Sequence, residues 1–540
     1  MAMEKSKAAA VRAAEEKEET RGYVERDGCG EVTVAEAAGD YTLPDYQPEI
    51  RKLLAIRTEV LPAGCYTGAG RAEFAGTVQN TLFYTDADGK IAALTLPADY
   101  TFSVPLPEGE ECTAMVDSMA EGATVCRLMG PRKLSLRTRV RNLLHLVQRD
   151  DVTPDVRGMG SESDRASLEI REETLESMTL AAYRCEDLSA TATVTAEGIA
   201  PDTRVVFAGG RVQVFECRRS PRGCVCRGEI WVRALLAGDE GSPFVLREKI
   251  PFEEEVEMPE GGERTACVAY GCVMGTEATL TPGEGEAPGS VTFDVTATLQ
   301  VTAIGSVCAR PVCDLYSTAY DMKCEYRTLK SRALIGSAMG SYTLNGSRPA
   351  GECDAEGATG VTDADGRMEI TSVAAERGRC AVCGCVTANV ILENAAEDGS
   401  LTLSPAEVKI PFRVECDLPV PAGKEARFDC HGELLSVRAR LGDGAVTADA
   451  EITLALFAYE EREGQILAAA EPDRSVAVTH GGRCIYVVYP KDGDTLFSIG
   501  ARYHKSRAAL AEENHLPEEA LAASHLPRSL SGVHHLLIED

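Results

Sequence analysis

Long stretches of this chain alternate apolar and polar residues with a period of two. Val291-Thr-Phe-Asp-Val-Thr-Ala-Thr-Leu-Gln-Val sets valine, phenylalanine, alanine and leucine on one face and threonine, aspartate and glutamine on the other. That is the pattern of an antiparallel strand with one buried and one solvated face. Stretches of the same character run from Leu134 to Val147 and from Val446 to Tyr459. Each follows the same sequence of signals. In the first copy, Phe74 to Tyr84 is strand-like, Asp86-Ala-Asp88-Gly89 is a turn and Phe102 to Gly109 is an extended, proline-containing stretch. In the second, Ile230 to Leu236 leads through Gly238-Asp239-Glu240-Gly241 to Ile250-Pro251-Phe252 and then Met258-Pro259-Glu260-Gly261. In the third, Val386 to Leu392 leads through Glu397-Asp398-Gly399 to Ile410-Pro411-Phe412 and then Leu418 to Gly423. Pro107, Pro259 and Pro421 lie 152 and 162 residues apart, so the repeat is domain-sized. Hairpin, proline-bounded edge and further strand pair form the grammar of a β-sandwich.

The period changes after Ile485. Ile485 to Tyr489 is a short β-branched and aromatic strand, and Lys491-Asp492-Gly493 closes it as a turn. Asp494 or Thr495 can cap a helix on which Leu496, Ile499 and Tyr503 share one face. Ser506 caps a second helix from Arg507 to Glu513, with Leu510 inward and Asn514 suited to the left-handed residue that ends it. Leu536-Leu537-Ile538 then supplies a strand to pair with the first. The expected fold class is therefore mainly β: three tandem β-sandwich-like repeat domains, followed by a small α+β domain of βααβ order. The expected boundaries are a charged tail over 1–40, repeat domains over 41–165, 166–312 and 313–465, a linker over 466–483 and the small domain over 484–540.

Composition sharpens this picture. The 540 residues are 44% hydrophobic but only 5% aromatic, with the single tryptophan at Trp231, which suits β-rich domains. The net charge of −30 argues against nucleic acid as a partner, because phosphate binding draws on lysine and arginine. Membrane insertion is not expected, since no run of apolar residues approaches the length of a span. Met1 to Arg21 lacks the apolar segment of a secretory signal, so the expectation is a chain retained in the cytoplasm. Its 20 cysteines then read as reduced thiols. Cys217 with Cys224 and Cys226, and Cys380 with Cys383 and Cys385, have spacings zinc could use. Each cluster leads into an apolar stretch, however, and neither shows two separated ligand pairs, so buried small side chains are expected and no metal. The late histidines, His504, His515, His525, His534 and His535, form no metal-binding spacing.

Asp86-x-Asp-Gly and Asp363-x-Asp-Gly resemble the start of a calcium loop, but neither continues with further ligands, and a hairpin turn is expected at both. Gly336-Ser337-Ala-Met-Gly340 is not a nucleophile elbow, and no phosphate loop occurs. An enzyme is not expected, nor is a cofactor.

The segment from Tyr486 to Ile538, with Gly493-Asp494-Thr495-Leu496, Ile499, Tyr503, Ser506, Leu510, Asn514 and Gly532, resembles a lysin motif (LysM) domain, with Gly500 where the family usually has alanine. The resemblance implies a glycan groove formed by Gly493, Asp494, Thr495, Leu496 and Phe497 on one side and Asn514, His515 and Leu516 on the other. The three repeats, headed by Pro44-Asp45-Tyr46-x-Pro48-x-Ile50 in the first and Asp314-Leu-Tyr-Ser-Thr318 in the third, resemble SPOCS-type domains of spore-coat-associated proteins. Together the resemblances imply a non-enzymatic scaffold or adaptor of the spore coat, located in the mother cell at the forespore surface. Its partners would be coat morphogenetic proteins such as the basement-layer ATPase, with self-association possible within such a coat. The alternative they imply is a cell-wall-associated protein that binds peptidoglycan.

Overall fold

The computed structural model describes residues 20–21, 23–27, 32–68, 70–106, 112–239, 241–258, 265–283, 288–353, 355–395, 400–421, 425–478, 484–516, 530 and 533–539. The expectations placed on most of the tail, Pro107, Gly109, Glu240, Pro259 to Gly261, Glu397 to Gly399, Gly423, His525 and Gly532 lie outside the described residues.

The fold is mainly β, in several sheets. After β1 (Thr20–Arg21) and β2 (Tyr23–Asp27) come β3 (Val32–Thr42), β4 (Lys52–Val60), β5 (Gly64–Gly68), β6 (Arg71–Thr85), β7 (Ile91–Pro105), β8 (Cys112–Gly130) and β9 (Lys133–Asp151). In one sheet β9 lies between β8 on one side and β2 and β3 on the other; in the second, β6 lies between β7 and the pair β4 and β5. A short passage of β10 (Asp155–Val156), α1 (Glu162–Ala166) and β11 (Leu168–Glu172) leads onward. Next come β12 (Leu175–Ala196), β13 (Arg204–Ser220), β14 (Gly223–Ala237), β15 (Phe244–Glu257), β16 (Ala266–Thr281) and β17 (Gly289–Ala309), which pair as β12-β17-β16 and β13-β14-β15. After β18 (Val312–Ser317), the strands β19 (Tyr320–Pro349), β20 (Ala358–Glu376), β21 (Arg379–Ala395), β22 (Leu401–Pro419), β23 (Ala426–Gly442) and β24 (Ala445–Ala477) pair in the same order, β19-β24-β23 and β20-β21-β22. The chain closes with β25 (Ile485–Val488), α2 (Leu496–Tyr503), α3 (Arg507–Glu513) and β26 (Leu536–Glu539).

The alternation read from the sequence is what seals each pair of sheets. On β17, Val291, Phe293, Val295, Ala297, Leu299 and Val301 are all at most 2% exposed and face β13 and β14 in one apolar cluster. Each large side chain removed from water in this way contributes about 1.5–3 kcal/mol. Two hairpins turn through consecutive residues with positive φ, Arg377-Gly378 and Asp443-Gly444, the turn whose twist matches that of the flanking strands.

The three sheet pairs interlock. A shared cluster draws Leu54, Phe83 and Ile91 from the first, Phe207, Leu235 and Ala237 from the second, and Ile391 and Leu403 from the third. β1 runs parallel to β17, β10 runs parallel to β24, and β11 pairs with β18 to make a separate two-stranded ribbon.

Three expectations are corrected. Residues 32–40 are not tail but most of β3, held by β9. The stretch expected as a linker is strand as far as Ala477, because β24 keeps pairing with β19 and β10. Asp363-Ala-Asp365-Gly366 is not a hairpin turn. It lies inside β20, where Asp363 is buried and Asp365 half-buried among arginines from other sheet pairs.

Candidate functional site

The residues singled out by sequence gather in the last segment, and most are spent on building it. Gly493 takes φ +89, open to glycine without strain. Asp494 Oδ2 accepts a hydrogen bond from the Lys491 amide at 2.9 Å, its carbonyl accepts one from Leu530 at 2.9 Å, and Arg502 stands at 3.5 Å. Thr495 is the cap. Its Oγ1 accepts from the Ser498 amide at 3.1 Å, while Ser498 Oγ accepts from the Thr495 amide at 2.9 Å, a reciprocal capping box. Leu496 and Leu516 belong to the small core with Val488, Ile499, Leu510, Leu530, Leu536 and Ile538.

Asn514 differs from expectation. Its φ is −108, and His515 takes the left-handed φ of +50 instead. The Asn514 amide is committed to β26: Nδ2 donates to the Leu537 carbonyl at 2.7 Å and Oδ1 accepts from the Leu537 amide at 2.6 Å. What remains open along the expected groove is its rim, with Gly493 and His515 exposed and Asp494 and Thr495 half-buried.

The helices do not face solvent all round. Phe497 is buried against Tyr316 of β18, the rings meeting edge to face at 5.0 Å, and the guanidinium groups of Arg171 and Arg507 stand over the Phe497 ring. Tyr316 Oη donates to the Lys505 carbonyl at 2.8 Å; burial, followed by the Glu169 charge, raises its pKa, so it keeps that proton. Gly500 makes this approach possible. A Cβ there would lie 2.2 Å from Tyr316 Oη and 2.6 Å from the Lys505 carbonyl. Around this centre His504 Nδ1 meets the Ser317 carbonyl at 2.9 Å, His504 Nε2 meets Asp321 at 3.1 Å and Arg507 Nε meets Glu169 at 2.7 Å. The face made by α2 and α3 is therefore seated on the β11–β18 ribbon. Ile485, Val487 and Leu537, by contrast, are exposed on the two-stranded sheet, Val487 opposite Leu537.

A second constellation holds the three sheet pairs together. Asp365 accepts from Arg57 at 3.2 Å, Arg211 at 3.0 Å and Arg233 at 2.8 Å; Asp363 takes Arg233 at 2.8 Å. The arginines hold the Asp365 carboxyl well below its ordinary range against the cost of burial. Nearby, Asp117 of β8, Tyr270 of β16 and His431 of β23 meet. His431 Nδ1 lies 2.8 Å from Asp117 Oδ2, and its ring stacks on Tyr270 at 3.8 Å. Burial opposes the charge on His431, but Asp117 and Glu433 outweigh it and raise the pKa to about 10. At neutral pH this imidazole is a cation and not a free base. A cavity of about 100 Å³ adjoins it, lined also by His145, Tyr183 and Arg332. The sequence offered no signal for either cluster. Their members are far apart in the chain, and Asp363 and Asp365 carry a turn-like motif.

Of the cysteines, Cys224 and Cys226 are buried while Cys383 and Cys385 are half-buried. Cys267 of β16, which no spacing connects to them, joins Cys217 and Cys224. No helix among the described residues is long and apolar enough to cross a membrane. The chain matches no protein-family model, no curated protein and no solved structure.

Proposed function

We propose that this chain is a non-enzymatic scaffold and adaptor of spore coat assembly, built from three tandem SPOCS-type domains and a carboxy-terminal LysM-type module that acts as a docking piece. The recurring strand order and the strand, helix, helix, strand order of the last segment support the domain reading. The seat of that module on the β11–β18 ribbon carries the functional one. Phe497 and Gly500 are engaged by Tyr316, so the module is held in one pose and turns Ile485, Val487 and Leu537 outward. Apolar side chains grouped at an exposed sheet mark a place for a protein partner. In this reading the partner is a coat morphogenetic protein, the basement-layer ATPase first among them, and the chain works in the mother cell at the forespore surface.

The test is binding of purified basement-layer ATPase to the whole chain and to a Val487→Asp, Leu537→Asp double variant. Binding by the parent and its loss in a folded variant are expected; equal binding by both, or by neither, overturns the proposal. The open rim at Gly493, Asp494, Thr495 and His515 favours a second reading, peptidoglycan binding. Retention on purified peptidoglycan that is lost with Asp494→Ala would support that reading in place of the first.

A further inference from the structure

The three sheet pairs act as internal controls for one another at the tip of the hairpin that enters each inner sheet. In the second pair, Cys217 of β13 lies directly across from Cys226 of β14, and Cys224 lies two residues before Cys226. Residues two apart on a strand point to the same face, so these three thiols share one face. Cys267 of β16 reaches them from the facing sheet. Cys217 and Cys226 Sγ are 3.4 Å apart, Cys224 and Cys267 Sγ 2.6 Å apart, and the Sγ atoms of Cys217, Cys224 and Cys267 all lie within 4.8 Å of one another.

The same register positions elsewhere are filled differently. In the third pair, Val373 opposes Val382 and Phe428 takes the place of Cys267; of the four positions only Cys380 keeps a thiol, and it meets Cys416 of β22 instead. In the first, Cys65 opposes Phe74, with Ala72 and Ala114 completing the set. Where only space must be filled, hydrocarbon fills it: Phe74 and Val382 are almost completely buried. Four thiols at one tip ask for a different explanation than packing.

We propose that Cys217, Cys224, Cys226 and Cys267 form a tetrathiolate site for a divalent thiophilic metal ion of the zinc class. Zinc bound by sulfur at about 2.3 Å in a tetrahedron sets its ligand atoms about 3.8 Å apart. The Cys217–Cys226 spacing is already close to that and Cys224 and Cys267 need part by only about an ångström, while Cys226, which stands outside the 4.8 Å triad of Cys217, Cys224 and Cys267, has to swing toward it by side-chain rotation. Binding converts each thiol to thiolate and releases its proton to solvent. Arg219, paired across from Cys224 in the β13–β14 register, sets a cation beside the cluster. It also offsets part of the negative charge that four thiolates leave on a divalent ion. Cys224 and Cys226 are buried, while Cys217 and Cys267 are half-buried and give the ion a way in. Once bound, the metal joins both sheets of the second pair at their shared end.

The probe is the whole chain, purified under reducing conditions and assayed for bound metal by native mass spectrometry, then stripped and titrated with cobalt(II). The expected result is one zinc ion per chain, four sulfur neighbours by X-ray absorption at the zinc edge, and thiolate-to-cobalt charge transfer with tetrahedral ligand-field bands. These signals should vanish in Cys217→Ser and Cys267→Ser and persist in a Cys380→Ser, Cys416→Ser double variant. A parent chain that carries no zinc and gives no cobalt bands overturns the proposal without reference to any variant. So do bands that survive in folded Cys267→Ser, or a parent isolated with Cys224 and Cys267 joined as a disulfide and no metal.

Discussion

Two seams in this molecule are built on opposite principles. The junction of the three sheet pairs is sealed by buried charge: Asp365 answers three arginines drawn from β4, β13 and β14, and Asp117 answers His431 across β8 and β23. The seam between the carboxy-terminal module and the β11–β18 ribbon is sealed by ring packing on Gly500, with its ion pairs at the margin. Charges already removed from water are costly to leave without a partner, so the first seam fails as a whole when one member is lost. Ring packing with partly hydrated ion pairs releases by degrees. The difference suits a rigid body that carries a separable carboxy-terminal module.

The charged seam carries the largest expected loss. Asp365→Asn leaves Arg57, Arg211 and Arg233 without their shared carboxylate and should lower stability by about 3–5 kcal/mol, read by denaturant unfolding. A loss under about 1 kcal/mol would mean that the arginines find other partners.

Next comes the His431 pair, through pH. The folded pKa of His431, about 10, lies above its ordinary 6.5. Its contribution is therefore whole below pH 6.5 and declines as pH rises through about 10. The melting temperature should fall across that window in the parent and much less in Asp117→Asn, itself destabilised by about 2–3 kcal/mol. A parallel fall in both would remove His431 from the account.

At the second seam, Gly500→Ala sets a methyl against Tyr316 Oη and the Lys505 carbonyl. It should cost docking about 1–3 kcal/mol while the melting of the sheet pairs stays unchanged, seen as faster amide exchange confined to β18, α2 and α3. Smallest of all, Arg507→Ala removes the contact to Glu169 and should weaken docking by about 0.5–1 kcal/mol, with a dependence on salt that Gly500→Ala lacks.

The parts legible in the sequence are those governed by neighbours along the chain. Period-two alternation marked β9, β17 and β24. Ile250-Pro251-Phe252 and Ile410-Pro411-Phe412 fall on β15 and β22, each at one edge of its sheet. Thr495 and Ser506 cap α2 and α3. What stayed hidden depends on pairing at a distance. Asp365 meets Arg57, Arg211 and Arg233 from 308, 154 and 132 residues away, and its local motif points to a turn. Gly500 registered only as a departure from alanine. Its cause is Tyr316, whose hydroxyl bonds a carbonyl 189 residues along the chain. Cys267 likewise gave no sign of its thiol partners on β13 and β14, because it comes from the opposite sheet.

The module is seated on the body and not strung from it. Nuclear magnetic relaxation of the whole chain tests this most directly, by comparing the rotational correlation time at Ile499 and Leu510 with that at Val295 of β17. A seated module gives the same slow tumbling at all three positions, and Gly500→Ala shortens it at the first two alone. Several-fold faster tumbling of Ile499 and Leu510 in the parent chain would contradict the account.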